Sequence, residues 1–218
     1  MNILAIDTTT KKASVALKTE SNLFSKEINN EITHSEKLLP LIDEVLKDAN
    51  LSLKDIDLFA LTLGPGSFTG VRIGVATIKA LAKVYNKKIF GTTSLELLAL
   101  DAIKNTSTIP KYVLSLMDAR NNRAYYNLYK LENNNLISCD FKGNDYISSI
   151  LENLNKQNLE DLLICIDNTS SDIQDICLAN LDITNIFDLD MSDKLYDYLN
   201  LDAMYYRKSE AERTKEGE

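Results

Sequence analysis

Asp7 ends a short apolar run and is followed by three threonines and two lysines, IDTTTKK. A carboxylate at a strand end can hold a metal-bound water, while hydroxyls and backbone N–H groups of the next turn cradle a phosphate. Asp7, Thr8, Thr9 and Thr10 are therefore the candidate nucleotide or phosphate residues. The same residue types also populate ordinary β-hairpin turns. Further on, GPGSFTGVRIG carries Gly64, Gly66, Gly70 and Gly74, four of the seven glycines in the chain. It lacks the closing Gly-Lys-Ser/Thr of a P-loop and does not fit GxGxxG. The block reads first as close packing of a helix on a sheet, and second as an anion site at a helix N-terminus. His34, the one histidine, begins THSEKLLP and reads as a helix-start or surface residue, with Ser35 or Thr33 as cap. No Ser/His/Asp set with a nucleophile elbow emerges, and no carboxylate pair that sequence alone can place. No catalytic residue is assigned.

The elements that would position these residues follow from periodicity. Ile3–Thr8, Ala13–Lys18 and Leu23–Ile28 read as three short strands in a meander. A helix from about Ser35 to Ala49 carries Leu38, Leu41, Ile42, Val45 and Ala49 on one stripe. A strand (Leu58–Leu63), a helix (Thr69–Tyr85), a strand (Lys88–Thr92) and a helix (Ser94–Ile103) complete the order βββαβαβα. The second half repeats it. At a constant offset Ile3 matches Leu114, Asp7 matches Asp118, Lys12 matches Arg123, Ala13 matches Ala124 and Leu17 matches Leu128. A third strand (Leu136–Phe141), a helix (Asp145–Asn155), the strand Leu162–Asp167, a helix (Ser171–Ala179), a strand near Ile186 and a last helix from about Met191 are expected there. A duplicated βββαβα unit predicts an α/β protein of two lobes with mixed sheets, residues 1–105 and 106–205, followed by a charged tail at 206–218.

The helix after the glycine block has a second peculiarity. Between Val71 and Tyr85 the charged residues are Arg72, Lys79 and Lys83, on one narrow stripe, while apolar residues cover most of the remaining circumference. A helix apolar over more than one face is buried against something beyond its own sheet, and for a chain of 218 residues a partner is the favoured cover. The expected partner interface comprises Leu38, Leu41, Ile42, Val45, Val71, Arg72, Val75, Ile78, Lys79 and Ala82.

The formal net charge is −8 and no basic stripe exists, so RNA chemistry would have to be borrowed through a basic partner. No apolar run is long enough to span a membrane. The three cysteines, none in a CxxC spacing, fit a reducing cytoplasm, with Cys165 a buried and inert thiol. With one histidine and no Cys/His cluster, no metal site is expected.

Several of these segments are shared with a known family. ILAIDTTTKKASVAL, HSEKLLPLIDEVL, LTLGPGSFTGVRIGVATIKALA, GTTSLELLA, DARNNRAYYNLY and YYRKSEAE together resemble the bacterial TsaB (YeaZ) proteins over nearly the whole chain. The resemblance implies an actin/Hsp70-like (ASKHA, ribonuclease H-like) fold and a catalytically silent role as dimerising partner of the larger paralogue TsaD. TsaE and a threonylcarbamoyl-AMP synthase complete that pathway, which transfers a threonylcarbamoyl group to the adenosine beside the anticodon. The first-lobe helices are implied as the dimer surface, and whether the chain alone forms a homodimer stays open at the level of sequence. The resemblance further implies no cofactor of its own, ATP or ADP within the complex, tRNA contact through the complex, and a cytoplasmic location. Two histidines that bind metal in the paralogue correspond here to Ser94 and Leu98, and the second-lobe turn IDNTSSD lacks the usual glycine. The alternative is a small actin-like ATPase or phosphotransferase using Asp7.

Overall fold

A computed structural model of the chain describes residues 1–29, 34–167 and 176–206. The expected cap Thr33, the His34 side chain, the turn at 168–172 and the tail from 207 lie outside the described residues. The chain divides into two compact units, Met1–Ser94 with Ile183–Met204, and Leu95–Asp182 with the chain from Tyr205.

In the first unit β1 (Ile3–Asp7), β2 (Lys12–Lys18) and β3 (Leu23–Asn29) form the expected antiparallel meander, with Asp7 opposite Ser14. α1 (His34–Asp48) leads to β4 (Leu58–Thr62), and α2 (Phe68–Tyr85) to β5 (Lys88–Thr92). β4 runs parallel to both β1 and β5. The two central strands are buried at every position, which is why each is an unbroken apolar run, whereas the edge strand β3 alternates. Leu4, Ile6, Val15, Leu17, Phe59 and Leu61 project from one sheet face into a core closed by α1 and α2. Their spacing of two along each strand is the period that puts alternate side chains on one face.

The second unit starts with α3 (Ser94–Lys104), apart from Ser94 itself. β6 (Tyr112–Asp118), β7 (Arg123–Glu132) and β8 (Asn135–Tyr146) form another meander, followed by α4 (Ile147–Asn155), β9 (Leu162–Asp167) and β10 (Cys177–Ala179). The sheet order β10-β9-β6-β7-β8 repeats the first sheet's β5-β4-β1-β2-β3, so the duplicated ribonuclease H-like plan holds. Val113 and Met117 meet α3, while Leu114 and Leu116 meet α4, so this sheet is covered on both faces.

Five expectations need correcting. The constant offset between halves fails after the first turn. Asp7 lies opposite Ser14, but Asp118 lies opposite Ala124, because the second turn is one residue shorter. The expected helix at 171–179 lies partly outside the described residues, and Cys177–Ala179 is a strand paired in parallel with β9. The segment near Ile186 is a 3₁₀ turn, Ile183–Asp188, and among the described residues no helix follows Met191. Instead β11 (Leu195–Tyr196) adds antiparallel to the open edge of β5. The lobe limits shift for the same reason. Ile183–Met204 packs with the first unit, while Leu95, Leu98, Ala99 and Ala102 of α3 are core residues of the second.

Candidate functional site

The strand end at Asp7 is a closed network. Asp7 is 1% exposed, and its Oδ1 accepts from the Thr9 amide at 3.2 Å, the Thr9 hydroxyl at 2.7 Å and the Thr62 hydroxyl at the end of β4. Ser94 Oγ, just after β5, donates to Thr9 Oγ1 at 3.0 Å. Parallel pairing of β1, β4 and β5 brings these groups to one sheet end. The Thr8 hydroxyl is consumed elsewhere, donating to the Gly70 carbonyl at 2.7 Å, and Ser67 N–H donates to the Thr9 carbonyl at 2.6 Å.

The glycine block makes this closure sterically feasible. A Cβ on Gly66 would collide with the Thr9 carbonyl, and one on Gly70 with the Thr8 carbonyl. The start of α2, capped by Ser67 accepting from Gly70 N–H at 3.2 Å, is seated on the Thr8–Thr9 turn. A phosphate cradle needs hydroxyls and amides pointing at free space. Here Thr8 and Thr9 are buried with their hydroxyl protons committed, and Thr10 alone of the four candidates is near the surface, where its Oγ1 accepts from Lys12 N–H at 3.1 Å. The residues present do not fit a phosphate at this turn.

Ser94 and Leu98 are both buried, the first in the hydroxyl network and the second in the α3 core. Among the described residues, no group of three or more His, Cys, Asp or Glu side chains is placed to hold a metal ion. Burial pushes the Cys165 thiol up to about 12, and its S–H lies 3.8 Å from the Leu98 carbonyl.

The expected partner surface is placed differently from the sequence reading. Leu38, Leu41, Ile42 and Val45 of α1, and Val71, Val75, Ile78 and Ala82 of α2, are all buried in the first unit's own core. Lys79 donates to the Leu201 carbonyl at 2.8 Å. Of the ten residues expected at an interface, Arg72 alone is exposed, its guanidinium 3.9 Å from the Phe68 ring centroid. The outward stripe of α2 is Arg72, Ala76, Ala80, Lys83 and Val84, while Ile73 is half-buried against the core. Val84 is 73% exposed, and Leu39 of the adjoining α1 is 54% exposed. A signal for the inward stripe was present in the sequence. Gly70 and Gly74 lie on the same helix face as Val71, Val75, Ile78 and Ala82, and close approach is what a glycine face permits.

A family model described as TsaD, tRNA N6-adenosine threonylcarbamoyltransferase, matches residues 24–166, more than half of the chain. The chain belongs to this family, on its TsaB (YeaZ) side. It is 36% identical to the tRNA threonylcarbamoyladenosine biosynthesis protein TsaB of Buchnera aphidicola (Schizaphis graminum), over 62% of this chain and 63% of that one. The same identity holds with TsaB of Escherichia coli K12, over 62% of this chain and 58% of the relative. The matches thus span less than two thirds of these curated relatives. YeaZ from Pseudomonas aeruginosa has the same fold, with a TM-score of 0.75 at 20% identity, covering 94% of this chain and 99% of that structure. Among the described residues, no helix is long and apolar enough to cross a membrane.

Proposed function

We propose that this chain is a catalytically silent dimerisation subunit of the cytoplasmic machinery that makes threonylcarbamoyladenosine in tRNA. Its partner is the larger TsaD paralogue, which carries the transfer to the adenosine beside the anticodon. TsaE joins the same complex, ATP or ADP belongs to the complex rather than to this chain, and tRNA is reached through the partner. The observation that carries this reading is the outward stripe of α2, where Ala76, Ala80 and Val84 are exposed with Arg72 and Lys83 as its charges. A helix that already buries Val71, Val75, Ile78 and Ala82 inward has no structural need of a second apolar face. The silence of the chain is supported by the closed network around Asp7 and by Ser94 and Leu98 at the positions expected to match metal-binding histidines.

The test is reconstitution. TsaD should transfer the threonylcarbamoyl group only when this chain is present, and the isolated chain should give no turnover. Ala76→Arg adds charge to an exposed position, so the protein should fold and melt normally while affinity for TsaD falls at least about tenfold. Unchanged affinity would remove α2 from the interface. The alternative, a phosphotransferase using Asp7, gains support only if isothermal calorimetry detects Mg·ATP binding that Asp7→Ala abolishes.

A further inference from the structure

The outward face of α2 is too small to hold a stable pair by itself. Its 18 residues span ~27 Å, and with a helix diameter of ~10 Å one face projects only about 270 Å². A specific, lasting interface buries about 800 Å² on each partner. The surface must continue onto the neighbours of α2, one of which is α1 with Leu39.

The other neighbour is the returning segment that carries β11. Two lysines one turn apart on α2 hold it. Lys79 donates to the Leu201 carbonyl at 2.8 Å, and Lys83 Nζ lies 5.9 Å from the Tyr198 ring centroid. Lys88, at the start of β5, bonds Asp197 at 2.7 Å, and Asn200 N–H closes the turn onto the Asp197 carbonyl at 3.0 Å. Leu201, the next residue, is fully buried in the first unit's core. A turn fastened at Asp197, Tyr198, Asn200 and Leu201 nevertheless holds Leu199 outward at 72% exposure. Lys83, which contacts the Tyr198 ring, precedes the exposed Val84 in α2, and Tyr198 precedes the exposed Leu199 in the turn. That contact strengthens when water is excluded from it, as a docked partner would do.

We infer that the Tyr198–Leu199 turn is the second half of the docking surface that begins on α2, and that its occupant is the same TsaD paralogue. The inference rests on the proposed α2 interface, and its own residue is Leu199. A fixed turn presents an apolar side chain without an ordering cost on binding, which distinguishes it from a stray exposed leucine.

Calorimetry of full-length chain with TsaD tests this, using wild type, Leu199→Asp and Ala76→Arg, each first checked for an unchanged thermal melt. Leu199→Asp should weaken the pair about tenfold or more, and Leu199→Met should restore most of the affinity. Sedimentation of the same variants alone reads self-association. Loss of TsaD affinity in both Leu199→Asp and Ala76→Arg supports a continuous surface. If Ala76→Arg loses binding and Leu199→Asp does not, the turn is outside the interface and the inference falls while the α2 reading stands. If Leu199→Asp weakens only self-association, the occupant is a second copy of this chain, and the inference is overturned in that form. If Ala76→Arg binds normally, the α2 reading fails and takes the continuous surface with it.

Discussion

Gly70 shows how one missing methyl group decides the chemistry of a site. Thr8 can donate to the Gly70 carbonyl because nothing on Gly70 holds the two backbones apart. Gly70→Ala forces its Cβ into the Thr8 carbonyl, which is backbone and cannot rotate away. A loss of about 1–3 kcal/mol in urea unfolding is expected, the usual cost of overpacking a tight contact. An unchanged denaturation midpoint would mean that α2 is not seated on the turn as described. Cys165 gives a second prediction at this scale. Burial raises its pKa from an ordinary thiol value of 9.0 to about 12, so the folded state keeps a proton that the unfolded state loses. The thiol's contribution is fully present below pH 9 and is lost as pH climbs toward 12. The stability gap between wild type and Cys165→Ala should therefore shrink by about 2 kcal/mol between pH 8 and pH 10.5. A gap that stays constant would show that the thiol titrates normally.

Among the elements, α2 is the one with two jobs, and its stripes can be separated experimentally. Ile78→Ala empties part of the core and should cost about 2–5 kcal/mol of stability, whereas Ala76→Arg should leave the melt unchanged. The sequence reveals that the helix is apolar nearly all round, but periodicity ranks neither stripe above the other, and the bulkier residues proved to be the inward set. Strand content was more legible. β1 and β4 appear as unbroken apolar runs because both their faces are covered, and the meander follows from short alternating segments. The segment after Met191 misleads because Leu195, Tyr198 and Leu199 mimic the i, i+3, i+4 spacing of a helix. Pairing of Leu195 and Tyr196 with the free edge of β5 overrides that local preference. The hydroxyls around Asp7 were legible as residue types. Their mutual saturation was not, since it depends on Ser94 and Thr62 arriving from distant strands.

At the scale of the whole molecule the chain leaves the first unit after Ser94 and returns to it at Ile183. Neither unit is a continuous stretch of sequence. A fragment of residues 1–105 lacks β11 and the buried Leu201, and includes α3 without the core it belongs to. It should show no cooperative thermal transition, while residues 1–94 linked by a short glycine-serine segment to 183–204 should melt cooperatively. A sharp transition in the 1–105 fragment would show the returning segment to be dispensable.

The late return also sets a timetable for synthesis. At about 5–20 residues per second a ribosome needs roughly 5–20 s to travel from Ser94 to Met204. Throughout that interval the outer edge of β5 has no β11 beside it and the floor of α2 has no Leu201. An uncovered strand edge is an invitation to wrong pairing, so the nascent chain, not the finished protein, is where this fold is most in need of a chaperone.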